Sequence, residues 1–276
     1  MSSIVPPLRT AAQQVTARPE AWLELAVAEQ LPPGWIRVTD LIAQPALLRL
    51  RQDRAAAFLL SEYGRTDELA AAVAVLERQL QAVTMPAGAL FRHHRRVPRL
   101  HPTAVAVPVD AAPAIPEITR VQLLDARFWC LPEDPDRRHP DATVVDDDTA
   151  LGSRYRAEVA LHAGAFLDAY APLVRLGPHQ LWGAVTDAVE HGFWFTGAND
   201  LPAVVADLAE LVLPAVLPPF TTRSQFYAVA RTGRDPIWTR RRATCCFVYR
   251  VAPDRLECAT CPRRTDASRA ALLRSY

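Results

Sequence analysis

Four cysteines carry the chemistry that is legible in this 276-residue chain. Cys245 and Cys246 are adjacent, eleven residues follow, and Cys258 and Cys261 form a C-x-x-C pair. The fifth cysteine, Cys130, stands alone in the apolar stretch RFWCLP and reads as a buried thiol. Four thiolates satisfy either a tetrahedral zinc or a [2Fe–2S] cluster, which takes two per iron. C-x-x-C is a good half-site because two intervening residues let both sulfurs converge. The Cys-Cys dipeptide discriminates, since structural zinc sites usually space their ligands by two to four residues. The residues therefore favour iron–sulfur, with a zinc knuckle and unligated structural thiols as the rivals.

Charge is concentrated in the same place. Between Arg240 and Arg264 seven arginines face two acids, a local balance of +5, whereas the whole chain carries only +1. Fixed positive charge favours the more negative, reduced state of a thiolate-ligated cluster and so raises its potential. Arg241, Arg242 and Arg263 are candidates for docking an anionic substrate or an electron donor, because guanidinium groups match carboxylate and catecholate oxygens. A solvated basic surface is the plain alternative.

The arrangement Cys-Cys, eleven residues, Cys-x-x-Cys, with basic residues before it and the stretch CCFVYR inside it, resembles the C-terminal segment of the FhuF-like ferric siderophore reductases. The family gap is ten residues, one fewer than here. The resemblance implies a [2Fe–2S] cluster on Cys245, Cys246, Cys258 and Cys261. It also implies one-electron reduction of siderophore-bound Fe(III), and a helical body that cradles the ferric siderophore. Fe(II) is held far more weakly than Fe(III) by hard oxygen donors, so reduction suffices to release it. The rival functions are a zinc-binding, non-enzymatic module and an iron–sulfur carrier or sensor without a siderophore substrate.

Other chemistries are poorly supported. The chain contains no lysine, which removes Schiff-base and phosphate-loop lysine chemistry. No G-x-G occurs, so the dinucleotide-binding fingerprint is missing. The electron is thus expected from an external one-electron donor, such as a ferredoxin or a flavoprotein reductase. The near-zero net charge argues against nucleic acid as the defining partner. Apolar runs reach about ten residues against the roughly 20 that a membrane span needs. The stretch MSSIVPPLRT lacks the features of a signal peptide, and a cytoplasmic location is expected. His162, His179 and His191 show no metal-ligand spacing and read as core or surface histidines.

The elements that must position these residues read as an α+β, mainly α-helical protein: a helical body over 1–236 and a cluster-binding segment over 237–276. Helices are predicted over Pro19–Gln30, over Leu47–Tyr63 with Gly64 as C-cap, and after an N-cap at Thr66 with a Leu69, Val73, Leu76, Leu80 stripe. Further helices are expected around Leu161, Ala165, Leu167 and Tyr170, over His179–Phe195, and over Leu201–Leu213 with Asn199 or Asp200 as cap. Strands are expected over Thr103–Val109 and Thr119–Trp129. The Pro- and Asp-rich stretch from Leu131 to Asp148 reads as an exposed loop, as does the basic run Phe91–His101, balanced by Asp146 to Asp148. Trp182, Phe193, Trp194 and Phe195 read as core, and Trp238 as a possible cover over the cluster.

Overall fold

Helices outweigh strands in the computed structural model, which describes residues 5–18, 23–110, 119–195, 202–231 and 233–275. In chain order the first half comprises α1 (Pro7–Thr16), β1 (Leu23–Val27), β2 (Trp35–Arg37), α2 (Val38–Ile42), α3 (Pro45–Tyr63), α4 (Glu68–His94), β3 (Arg96–Pro98) and β4 (Val105–Pro108). The second half comprises β5 (Thr119–Leu123), β6 (Phe128–Cys130), β7 (Ala142–Val144), α5 (Asp148–Tyr170), α6 (Pro178–Phe195), α7 (Pro202–Val212), β8 (Gln225–Arg231), β9 (Arg234–Arg241) and α8 (Asp266–Arg274). The α+β class read from the sequence holds.

Helix α4 is the axis. It is buried almost all round from Ala70 to Phe91, the mark of a central helix rather than a surface one. Val73, Leu76 and Leu80 lie in the core and Leu69 packs at its edge. The N-cap is Asp67, one residue beyond the expected Thr66; its carboxylate accepts from the amides of Leu69 and Ala70 at 3.0 and 3.1 Å. An aspartate there adds a negative charge at the positive helix end. Helix α6 crosses α4 at very close range. A Cβ on Gly192 would lie 2.3 Å from the Thr84 carbonyl oxygen, and one on Gly88 would lie 2.8 Å from the Gly192 carbonyl carbon. Only glycine lets the two backbones meet. Phe91, Tyr155 and Phe193 pack beside this crossing with centroids 5.3–5.9 Å apart.

Two small sheets flank the helices. One has the order β1-β5-β4-β2, with β1 parallel to β5 and the other pairs antiparallel; the other has the order β3-β6-β7, with β6 and β7 parallel. A separate hairpin, β8-β9, leads into the cysteine segment. Strand β9 runs across the expected boundary at residue 236.

Several expectations are corrected. Residues 23–27 form a strand, not a helix. Leu23, Leu25 and Val27 are buried while Glu24 and Ala26 face out, an alternation of period two that a proline at position 19 had obscured; Trp22 lies outside the described residues. Helix α5 exists, but Leu161 is exposed and Ala165 only half-buried; the buried face is Val159, His162, Ala163, Phe166, Leu167 and Tyr170. The expected strand over 119–129 is two strands that enter different sheets. The Pro- and Asp-rich stretch contains β7, and its Asp134 is buried against Arg96, with Oδ2 and Oδ1 accepting at 2.8 and 2.7 Å. The same bond overturns the loop reading of 91–101, which ends α4 and forms β3. Arg95 does meet Asp148, at 3.7 Å. Cys130 and Phe193 are fully buried as expected, and Trp182 and Trp194 pack at the edge of the core. The Phe195 side chain and the proposed caps of α7, Asn199 and Asp200, lie outside the described residues.

Candidate metal centre

The cysteine segment is seated on α6 by one buried carboxylate. Asp187 Oδ1 accepts from the Ala243 amide at 2.8 Å, and Oδ2 accepts from the Thr244 amide at 3.0 Å and the Thr244 hydroxyl at 2.9 Å. Arg242 Nε reaches the same Oδ2 at 3.3 Å. The backbone immediately before Cys245 is thereby fixed by charge-assisted bonds, which are roughly twice as strong as neutral ones. Two turns earlier on α6, Gln180 Nε2 donates to the Cys245 carbonyl at 2.8 Å. Between them, Gly183 leaves room for Thr244; a Cβ there would lie 2.2 Å from Thr244 Cγ2. Glu190 Oε2 accepts from Arg240 Nη1 at 2.9 Å and from the Ser224 hydroxyl, tying down β9 and the residue that leads into β8.

The second half of the site is held from α8. Arg269 has no exposed surface, and its guanidinium donates to the carbonyls of Ala259 (2.7 Å) and Cys261 (2.5 Å), which belong to the C-x-x-C turn. Its Nη1 is anchored by Asp266 at 2.7 Å and the Tyr227 hydroxyl at 2.6 Å. The Arg242 amide donates to the Thr260 carbonyl at 3.0 Å and stitches the two halves together. Within the C-x-x-C turn, the Cys261 amide donates to the Cys258 carbonyl at 3.1 Å.

These bonds bring the cysteines together as two pairs. Cys246 and Cys258 lie close enough to perturb one another, as do Cys245 and Cys261. The neighbouring Cys246 pushes Cys258 down to about 6, and Cys258 together with burial pushes Cys246 far up. Burial pushes Cys261 up to about 11. No disulfide forms. Among the described residues, no three candidate ligands converge on a single metal-sized point. A mononuclear zinc needs four ligands on one ion, whereas a [2Fe–2S] cluster spreads four thiolates over two irons. The four thiols of the segment supply the two per iron that the second arrangement takes. The Phe247 amide also points at Cys245 Sγ, 3.4 Å away; such donors to sulfur tune a cluster's potential.

The expected docking arginines separate on inspection. Arg242 is buried between Glu77 and Asp187; burial would lower its pKa, but these two carboxylates more than offset that and raise it. Its charge is fixed beside Cys246 and Cys258, and it is not free to dock a substrate. Arg241 is half-exposed and bonds Gln225. Arg263 is 54% exposed, with its guanidinium 4.7 Å from the Tyr249 ring centroid. Trp238 pairs with Ala228 across the hairpin. Of the histidines, His162 is fully buried on Leu100, and His191 is partly buried on α6, where burial first, then Arg240 and Arg242, push it down to about 3.

The residues that build the seat were not singled out in the sequence. Glu77, Gln180, Gly183, Asp187 and Arg269 carry no spacing motif toward the cysteines. Asp187 lies 58 residues before Cys245 on a helix that shows only ordinary amphipathic patterning.

Comparison with known proteins bears on this segment alone. Residues 242–263, which include all four cysteines, match the family model of the FhuF 2Fe-2S C-terminal domain. No curated protein and no solved structure matches the chain. The segment is thus similar to FhuF over its cluster-binding turn, and its cofactor is a [2Fe–2S] cluster.

Proposed function

We propose that this chain is a ferric siderophore reductase, releasing Fe(II) by one-electron reduction of siderophore-bound Fe(III). The observation that carries the reading is the match of residues 242–263, which hold Cys245, Cys246, Cys258 and Cys261, to the FhuF 2Fe-2S C-terminal domain. When bound, the cluster supplies one electron at a time: it is oxidised by one electron as one substrate Fe(III) becomes Fe(II).

The protein's contribution is positional and electrostatic. Asp187, Gln180 and Arg269 hold the thiolates in place, so ligand geometry is set before either redox partner arrives. Arg242 fixes positive charge beside Cys246 and Cys258, which favours the reduced state. Cys258 is the exposed member of the four and Cys261 the buried one, so a cluster held here would lie nearest to solvent on the Cys258 side. Arg263 and Arg241, which retain exposed guanidinium surface there or nearby, attract the oxygens of an anionic ferric complex or the acids of a donor protein. The immediate electron source is a separate one-electron donor, a ferredoxin or flavoprotein reductase. Among the described residues no helix is long and apolar enough to cross a membrane. The reading places the reaction in the cytoplasm, with residues 1–236 as the siderophore-binding body and 237–276 as the redox segment.

The test is oxidation of the dithionite-reduced holoprotein by ferric siderophores, followed anaerobically by cluster absorbance with a ferrous chelator present. The expected result is one Fe(II) trapped per cluster oxidised, with saturation in the siderophore. Equal rates for ferric siderophores and a small ferric chelate without siderophore structure would reduce the protein to an electron carrier. A colourless protein containing zinc would overturn the reading altogether.

A further inference from the structure

The C-x-x-C turn is held by its carbonyls, and every one of them from Cys258 to Cys261 is engaged. The Cys258 carbonyl accepts from the Cys261 amide at 3.1 Å and from Arg264 Nε at 3.3 Å. The Ala259 carbonyl accepts from Arg269 Nε at 2.7 Å, and the Thr260 carbonyl from the Arg242 amide at 3.0 Å. The Cys261 carbonyl accepts from Arg269 Nη2 at 2.5 Å and from the Arg264 amide at 3.2 Å. This backbone sets the Thr260 side chain, whose hydroxyl oxygen lies 3.9 Å from Cys258 Sγ. Cys258 is the exposed cysteine, and Thr260 beside it is partly buried.

We infer that Thr260 is a tuning residue for the cluster: its hydroxyl donates to the Cys258 thiolate and favours the reduced state. The inference rests on the [2Fe–2S] reading of the four cysteines. Between a thiol and a hydroxyl either group can donate. A cysteine bound to iron has lost its proton, which leaves the hydroxyl as the donor of the pair. Reduction adds negative charge to the cluster and its ligands, so a bond donated to Cys258 is stronger in the reduced state and raises the potential. The separation is at the long end for a bond to sulfur, and the effect is correspondingly modest. Cys245 has a donor of another kind, the Phe247 amide at 3.4 Å. A backbone N–H stands there whatever the side chain at 247, whereas the donor to Cys258 depends on the residue type at 260. Thr260 also differs from Arg242, which acts through a fixed charge rather than one directed bond.

The experiment is an anaerobic, mediated redox titration of the cluster-loaded chain with dithionite, followed by absorbance, for the wild type, Thr260→Val and Thr260→Ser. Thr260→Val keeps the branched shape and removes the hydroxyl; Thr260→Ser keeps the hydroxyl and removes a methyl group. At the wild-type midpoint, the ratio of reduced to oxidised cluster is expected to fall about threefold in Thr260→Val, or roughly 30 mV for one electron. Thr260→Ser is expected to titrate with the wild type, and the urea midpoints of all three proteins to agree. Equal shifts in both variants, or no shift in Thr260→Val, would overturn the inference. If Thr260→Val alone fails to load, Thr260→Ala takes its place in the comparison. Loss of the cluster in both would make the side chain a structural part of the turn and overturn the tuning role. No siderophore enters the measurement, so a missing shift leaves the reductase reading standing. The expected shift in a protein that ferric siderophores do not oxidise would count against that reading alone.

Discussion

The crossing of α4 and α6 and the seat of the cysteine segment lie on the same helix, α6, yet they are built by opposite means. At the crossing, Gly88 and Gly192 let two backbones touch, and buried aromatics fill the flanks. At the seat, one carboxylate, Asp187, accepts two backbone amides, a hydroxyl and a guanidinium. The difference teaches that the body is a packing problem and the metal centre a hydrogen-bonding one. Apolar contacts are many and individually weak, and tolerate substitution gradually. A buried ionic hub concentrates its effect on a few atoms, and its loss leaves other charges uncompensated.

The sharpest way to break the comparison is Asp187→Ala. It orphans the amides of Ala243 and Thr244, and Arg242 loses one of its two carboxylates. The expected destabilisation is about 3–5 kcal/mol, the range for breaking a buried charge network, and the cluster is lost to chelator much faster than in the wild type. Urea unfolding and absorbance decay check the two effects.

The body has its own ionisable group, and it behaves differently. His162 is buried and neutral, bonded through Nδ1 to the Leu100 carbonyl at 2.6 Å, and burial lowers its pKa from 6.5 to about 4. The unfolded chain therefore binds a proton that the native state refuses between about pH 6.5 and 4. Stability from this group is intact above that window and falls as the pH drops through it, by about 3 kcal/mol in total. Urea midpoints across the window measure the slope, and His162→Gln should flatten it. An unchanged slope in the variant would assign the acid sensitivity elsewhere.

A glycine pair tests the contrast directly. Gly192→Ala drives a methyl into the Thr84 backbone and should cost roughly 1–3 kcal/mol of global stability with little change in the cluster spectrum. Gly183→Ala pushes on Thr244 next to Cys245, and should alter the cluster's electron paramagnetic resonance signal more than the urea midpoint. Equivalent spectra and equivalent midpoints for the two variants would erase the distinction between packing and seat.

The smallest expected effect is electrostatic. Arg242→Gln removes a fixed positive charge beside Cys246 and Cys258 and leaves Glu77 unopposed. The reduction potential should fall by roughly tens of millivolts, measured by redox titration of the loaded protein. A potential that rises, or that does not move, would show that Arg242 only positions backbone.

Local patterns were readable wherever one residue type answers one local demand. The C-x-x-C pair and the Cys-Cys dipeptide marked the segment that matches the FhuF 2Fe-2S C-terminal domain. Gly64, at φ +67°, ended α3 as its position implied, and the stripe on α4 was correctly traced. The misreadings share a cause as well. LELAV satisfies a strand or a helix until a neighbour is known, and it becomes β1 because β5 lies parallel to it. The acidic stretch after Leu131 read as solvent-exposed because Arg96, the partner that buries Asp134, lies 38 residues earlier. A charge is legible as exposed only when its partner is also in view.

By itself, then, the sequence determined the grouping of four cysteines, their excess of local positive charge, the helical bias of the body and the resemblance to a cluster domain. These are properties of composition and short-range spacing, set by covalent distance along the chain. Only the tertiary structure decided which charges do what. Folding buried Arg242 between Glu77 and Asp187, left Arg263 facing solvent and clamped the C-x-x-C turn with Arg269. The burial of Arg242 depends on partners 55 and 165 residues away, brought together by long-range packing that local pattern does not encode.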